Sequence, residues 1–154
     1  MTWAFLFGFT NVLALAGWLM LAALPRGPKL MAMVMYGCVA TLCVTYAILF
    51  VMLFGNLVDP VRSAGAPAPD LADYSVAGLR GLFMSDGVIV IGWTHYLAFD
   101  LFVGLWIAKD ADNKGFSRLV QLPFLFVTLM AGPIGLLAWL VTREARARRA
   151  ARAA

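Results

Sequence analysis

The sequence predicts an all-α, polytopic membrane protein of four helical spans, and two observations carry that expectation. The chain of 154 residues is 63% hydrophobic and only 13% charged, with a mean hydropathy of +0.87. A soluble domain of this length has no way to hide so much apolar surface. The apolar residues also gather into runs of about twenty, the length a helix needs to cross the ~30 Å hydrocarbon core. Residues 1–154 then form one domain, with spans at about 3–24, 30–57, 87–108 and 122–142 and a basic tail at 143–154.

The first run lacks a basic leader and exceeds a signal-peptide core, so it reads as a retained helix closed by Pro25-Arg26-Gly27-Pro28. Asn11 sits near its centre. The second run is long enough to cross with tilt and carries Tyr36, Thr41, Thr45 and Tyr46, with Thr41 and Thr45 sharing a face. Residues 58–74 are rich in Pro, Ala and Asp without periodicity, which predicts a surface loop. Val76, Leu79 and Phe83 then share one face of a short interfacial helix, and Ser85 is placed to cap the third span. A polar turn at 109–115 leads to the fourth run, where Pro133 frees the carbonyl of Leu129 and is expected to bend the helix.

The third run places His95, the single histidine, and Asp100 within ~4 Å of the membrane midplane at 1.5 Å per residue. A carboxylate at that depth costs at least ~2.5–3.5 kcal/mol, so Asp100 needs a reason to be there. His95 and Asp100 are about 140° apart around the helix, which argues against a direct dyad. Asp100 shares a stripe with Trp93, Tyr96 and Gly104, and Tyr96 at i−4 is placed to donate a hydrogen bond to it. No basic residue lies within a span, so a neutral carboxylic acid is expected, able to donate a proton while His95 accepts one. Gly92 floors a groove beside His95 that admits a partner backbone or a thin ligand. Asn11, Thr41 to Tyr46, His95 with Asp100, and Gly132-Pro133 all fall near the midplane and together suggest a polar pocket in the bundle.

Other classes are excluded or disfavoured. Five of the twelve basic residues sit in the tail, where they read as a topology signal and a headgroup contact rather than a nucleic-acid surface. Cys38 and Cys43 lie about 140° apart on one helix and cannot bridge each other. One histidine and two cysteines provide no set of soft metal ligands, so neither metal nor cofactor is expected. Four spans put both termini on one side, taken as cytoplasmic, with seven basic residues inside against five outside.

The stretch GWTHYLAFDLFVGLWIAKDA, the preceding SVAGLRGLFMSD, Asn11 and AGPIGLL resemble the neoxanthin-synthase-like family, small four-span membrane proteins named for an abscisic-acid-deficient plant mutant. The resemblance covers nearly the whole chain. It implies isomerisation of a carotenoid 5,6-epoxide to an allenic alcohol, a redox-neutral reaction that needs only proton movement. Asp100 and His95 are then the catalytic candidates, with Asn11, Gly92, Trp93, Tyr96, Tyr46 and Pro133 lining the substrate site. The chain opens directly on its first span where plant members carry a transit segment, which points to a bacterial inner-membrane protein. The expected partners are a carotenoid or similar polyene and membrane lipid, with a partner protein or a second copy left open. The rival reading is a non-catalytic small subunit that binds pigment, lipid or quinone.

Overall fold

The computed structural model describes residues 2–67 and 70–153, with side chains through residue 145. Loop residues 68–69 and the side chains of the basic tail beyond that point lie outside the described residues. Helix α1 spans Trp3–Ala23 and is opened by Thr2, whose hydroxyl accepts from the Phe5 N–H at 3.3 Å. The second helical stretch, Pro28–Phe54, starts on Pro28, where the missing N–H costs nothing. It comprises α2 (Pro28–Ala32), a π-helical segment (Met33–Val39) and α3 (Ala40–Phe54). Ser75 caps the short helix α4 (Val76–Leu82), and Ser85 caps α5 (Asp86–Asn113). The Ser85 cap is the one expected from a serine ahead of an apolar run.

Trp3–Ala23, Pro28–Phe54 and Asp86–Asn113 are each long and apolar enough to cross a membrane, so the all-α polytopic class stands. Helix α5 is the central element and packs on α1 and α3. Leu21, Leu42, Leu101 and Ile107 are fully buried in the core between them, and Gly104 lets the Trp18 ring lie against the α5 backbone. The predicted polar turn starts later than expected. Asp110 and Asp112 remain helical because Trp139, Arg143, Arg26 and Gln121 supply partners for their carboxylates.

The fourth apolar run takes a different form from a bent crossing helix. Helix α6 (Arg118–Met130) ends at Ala131, whose φ of −155° and ψ of 73° leave the helical region, and α7 (Gly132–Ala153) starts at once. The Ala131 carbonyl accepts from the N–H groups of Ile134 (2.9 Å) and Gly135 (3.2 Å), closing the first turn of α7. Pro133 therefore sits in an opening turn rather than in a helix interior, and starts a helix instead of kinking one. The two helices fold back on each other. A Cβ on Gly135 would overlap Thr128, and Trp139 on α7 packs edge-on to both Phe124 (5.4 Å) and Phe116 (5.0 Å). Along α5, Tyr96 meets Met130 and Asp112 meets Gln121, so α6 runs antiparallel to it. Asp100 meets Gly132 and Asp110 meets Trp139 and Arg143, so α7 runs back parallel to it.

The pair is thus a helical hairpin whose tip reaches Asp100, thirteen residues or ~20 Å from the end of α5. Such backbone breaks at membrane depth persist where protein buries them or a cavity is lined by them. The hairpin's two ends, at Arg118 and Arg143, lie at the same end of the helix stack as Leu24 and Asp110. Charge is unevenly distributed between the two ends. Arg62 and Arg80 stand at the end of the 58–85 loop, and among the described side chains Arg26, Lys29, Lys109, Lys114, Arg118 and Arg143 stand at the other. Among the described side chains the split between the two ends is six to two.

Candidate functional site

Asp100 lies at the hairpin tip. It is 8% exposed, and its Oδ2 is buried without a hydrogen-bond partner among the described residues. Gly132 is packed so closely that a Cβ there would overlap the Asp100 carboxyl. Gly132 is also the first residue of α7, so the positive end of a helix abuts the carboxyl at mid-depth. An interaction of this kind is worth ~0.3–2 kcal/mol to a carboxylate. It is the positive partner that the sequence, with no basic residue in any span, did not reveal. One turn before Asp100, the Tyr96 hydroxyl donates to the Met130 carbonyl at 3.3 Å and interacts with the Asp100 carboxyl.

The hairpin stops half-way, so above the tip it leaves uncovered the side of α5 that carries Ile89 and Trp93. Ile89 and Trp93 are exposed there, beside Phe7 of α1. Trp93 stacks on Tyr96 at 5.2 Å, packs against Phe7 at 5.8 Å and donates from Nε1 to Asn11 Oδ1 at 3.1 Å. Asn11 in turn donates to the Phe7 carbonyl at 2.7 Å. These groups form a lipid-open bay with aromatic walls, floored by Met130 and the helix break. A polar line runs through it from Asn11 by Trp93 and Tyr96 to Asp100.

Of the residues singled out from sequence, Asn11, Trp93, Tyr96 and Asp100 therefore come together, with Pro133 exposed at the tip. Gly92 does not floor an open groove. Phe83, following α4, already covers it, with its Cε1 2.9 Å from where a Cβ would be. His95 and Tyr46 lie elsewhere. The His95 ring is exposed on the side of α5 facing α3, stacked on Phe99 at 4.6 Å and 5.7 Å from Tyr46. The structure does not bring His95 to Asp100, in keeping with their separation around the helix. Sequence reasoning missed Gly132 as a packing partner, the Met130 carbonyl, and the walls Phe7 and Phe83. The available signal was Gly132 and Gly135 flanking Pro133, small residues that permit close backbone approach.

The ABA DEFICIENT 4-like family profile matches residues 5–139, which takes in Asn11, the whole of α5 and the hairpin as far as Trp139. The chain belongs to the ABA DEFICIENT 4-like family. Membership links this membrane protein to carotenoid and neoxanthin biosynthesis. No curated protein and no solved structure matches the chain. Within this ABA DEFICIENT 4-like protein, the bay and the carboxyl at its base lie inside the matched stretch.

Proposed function

We propose that this protein isomerises an epoxy-carotenoid inside the bilayer by moving protons, with Tyr96 and Asp100 as the reacting pair. The observation that carries the reading is the unpartnered Asp100 Oδ2 beside the Tyr96 hydroxyl, at the base of a lipid-open bay. A family link to carotenoid biosynthesis supports the substrate class. The Tyr96 hydroxyl gives its proton to the epoxide oxygen as the ring-opening C–O bond breaks. The Asp100 carboxylate takes the proton from the adjacent polyene carbon, and the electron pair left behind completes the allene. Asp100 then returns its proton to the Tyr96 oxygen. Nothing is oxidised or reduced, and both groups end as they began. Preorganised proton transfer of this kind contributes ~10²–10⁴ in rate.

A second reading is favoured by one feature, the near-complete burial of Asp100. In it the protein binds pigment in the bay without chemistry, and Asp100 anchors the hairpin. Reconstituted protein supplied with violaxanthin separates the two. Asp100→Asn keeps shape and hydrogen bonding but cannot accept the carbon proton. Loss of the allenic product with pigment still bound supports isomerisation, and undiminished product from Asp100→Asn removes it.

A further inference from the structure

Helix α5 turns one face outward between α3 and the hairpin. His95, Phe99, Phe102 and Trp106 recur there at i, i+4, i+7 and i+11, and all four are exposed. The face borders α3 at Tyr46, whose ring is 5.7 Å from that of His95, and α7 at Arg143, which lies over Trp106 at 5.4 Å. On α3, Cys43, Tyr46 and Phe50 fall at i, i+3 and i+7, and Tyr46 packs on Phe50 at 5.9 Å. Two helices therefore present one continuous, largely aromatic surface.

Lipid accounts for the phenylalanines but not for two groups among them. Neither the His95 ring nor the Tyr46 hydroxyl makes a hydrogen bond among the described residues. His95 lies nine residues, or ~13 Å, along α5 from Asp86, and Tyr46 eight residues, or ~12 Å, from the end of α3 at Phe54. Both groups are thus inside the hydrocarbon, where an unpaired imidazole or phenol is costly. An acyl chain or a polyene carries no hydrogen-bonding group at that depth to meet either one.

We infer that this face is the interface with a second copy of the chain, in which His95 bonds to Tyr46 of the partner subunit and Tyr46 to the partner's His95. In a bilayer both copies keep the same depth, so a two-fold axis along the membrane normal brings together only residues of equal depth. His95 and Tyr46 meet that condition, since their rings are already neighbours within one protomer. Their chemistry is reciprocal too: a phenol donates, and the bare nitrogen of a neutral imidazole accepts. Two hydrogen bonds then close around the axis, and Phe50 and Phe99 pack beside them. The bay plays no part, because Asp100 lies about 140° from His95 around α5.

The test uses purified full-length protein in phosphatidylcholine liposomes, with association read by single-molecule photobleaching as lipid dilutes the protein. Two-step bleaching that gives way to one-step bleaching on dilution is expected, and the midpoint yields the dimer affinity. His95→Phe should weaken association about tenfold, the effect of losing two interhelical hydrogen bonds. Tyr46→Phe should do the same, and the double variant should lose no more than either, because each substitution removes the same two bonds. Cys43 locates the contact without any substitution in the face, since it is exposed and one turn from Tyr46, whereas Cys38 is buried. Molecular iodine, which enters lipid and is reduced to iodide as two thiols join, should link the unmodified protein into dimers and leave Cys43→Ala unlinked. Val12→Cys in the Cys43→Ala chain, exposed on α1, should stay unlinked as well. One-step bleaching at every density, the result if lipid, a small molecule or a different protein covers the face, overturns the inference. So do unchanged affinity in both single variants, additive losses in the double variant, or linkage through Val12→Cys but not Cys43. No turnover is measured, so failure of the proposed isomerisation is read separately.

Discussion

The carboxyl of Asp100 and the α-carbon of Gly132 are in direct contact across the tip of the α6–α7 hairpin. The contact joins the costliest residue of the third span to the first residue of α7. It exists because residue 132 has no side chain. Gly132→Ala should therefore destabilise the protein by about 1–3 kcal/mol, the usual cost of overpacking a filled site. Asp100→Ala in the same chain should recover most of that loss, and a double-mutant thermal unfolding cycle measures the coupling. Additive effects would mean that the two groups do not touch.

The separation of His95 from Asp100 divides their mutants. Tyr96→Phe removes the hydroxyl beside Asp100 and should lower turnover about 10²–10⁴-fold. His95→Gln, on the surface facing α3, should leave product formation within a few-fold of the unmodified protein. Pigment chromatography after reconstitution checks both. Product lost with His95→Gln and kept with Tyr96→Phe would reverse the assignment.

The hairpin makes a topological prediction. Epitope tags at the two ends should be reached from opposite sides of the membrane, the C-terminal one from the cytoplasm because most basic residues lie at that end. Protease protection in sealed vesicles of known orientation is the measurement. Two tags cleaved from the same side would restore four crossings.

Arg26 holds the base of the hairpin. Its side chain is 2% exposed, bonded through Nη1 to Asp112 and Gln121 and through Nε to the Leu21 carbonyl at 2.8 Å. Burial lowers its pKa, opposed by the Asp112 carboxylate, yet the guanidinium stays charged throughout the physiological range. Arg26→Leu should cost about 1–3 kcal/mol by leaving Gln121 and Asp112 short of a donor. Faster labelling of Ala131→Cys in that background should report a loosened tip, and unchanged labelling would sever the link.

Acid should loosen α4. Asp73 accepts from the Ser75 N–H at 2.9 Å, and bonding to Ser75 holds its carboxyl below the usual range. A depressed carboxyl pKa contributes stability that is full above the unfolded value and lost as pH falls through the folded one. The protection of the Gly78 amide, whose N–H donates to the Ser75 hydroxyl at 3.1 Å, relative to its intrinsic exchange rate at each pH should fall on acidification through that window. The same acid step persisting in Asp73→Asn would assign it to another group.

By itself the sequence determined that this is a helical membrane protein, where its long apolar helices lie and which carboxylate needs explaining. Those features follow from local hydrophobicity, cap residues and the cost of charge in lipid, all properties of a residue and its near neighbours. It also specified which residues share a face of α5, hence the joining of Trp93, Tyr96 and Asp100 and the parting of His95. Only the tertiary structure decided what faces them. A run of about twenty apolar residues has the same composition whether it crosses once or dips and returns, and Pro133 bends a helix or starts one according to its neighbours' backbone. The close packing of Gly135 on Thr128, and of Gly132 on Asp100, selects the return. Phe83 over Gly92 and the bay above the tip depend on pairs far apart in the chain, which no local period records.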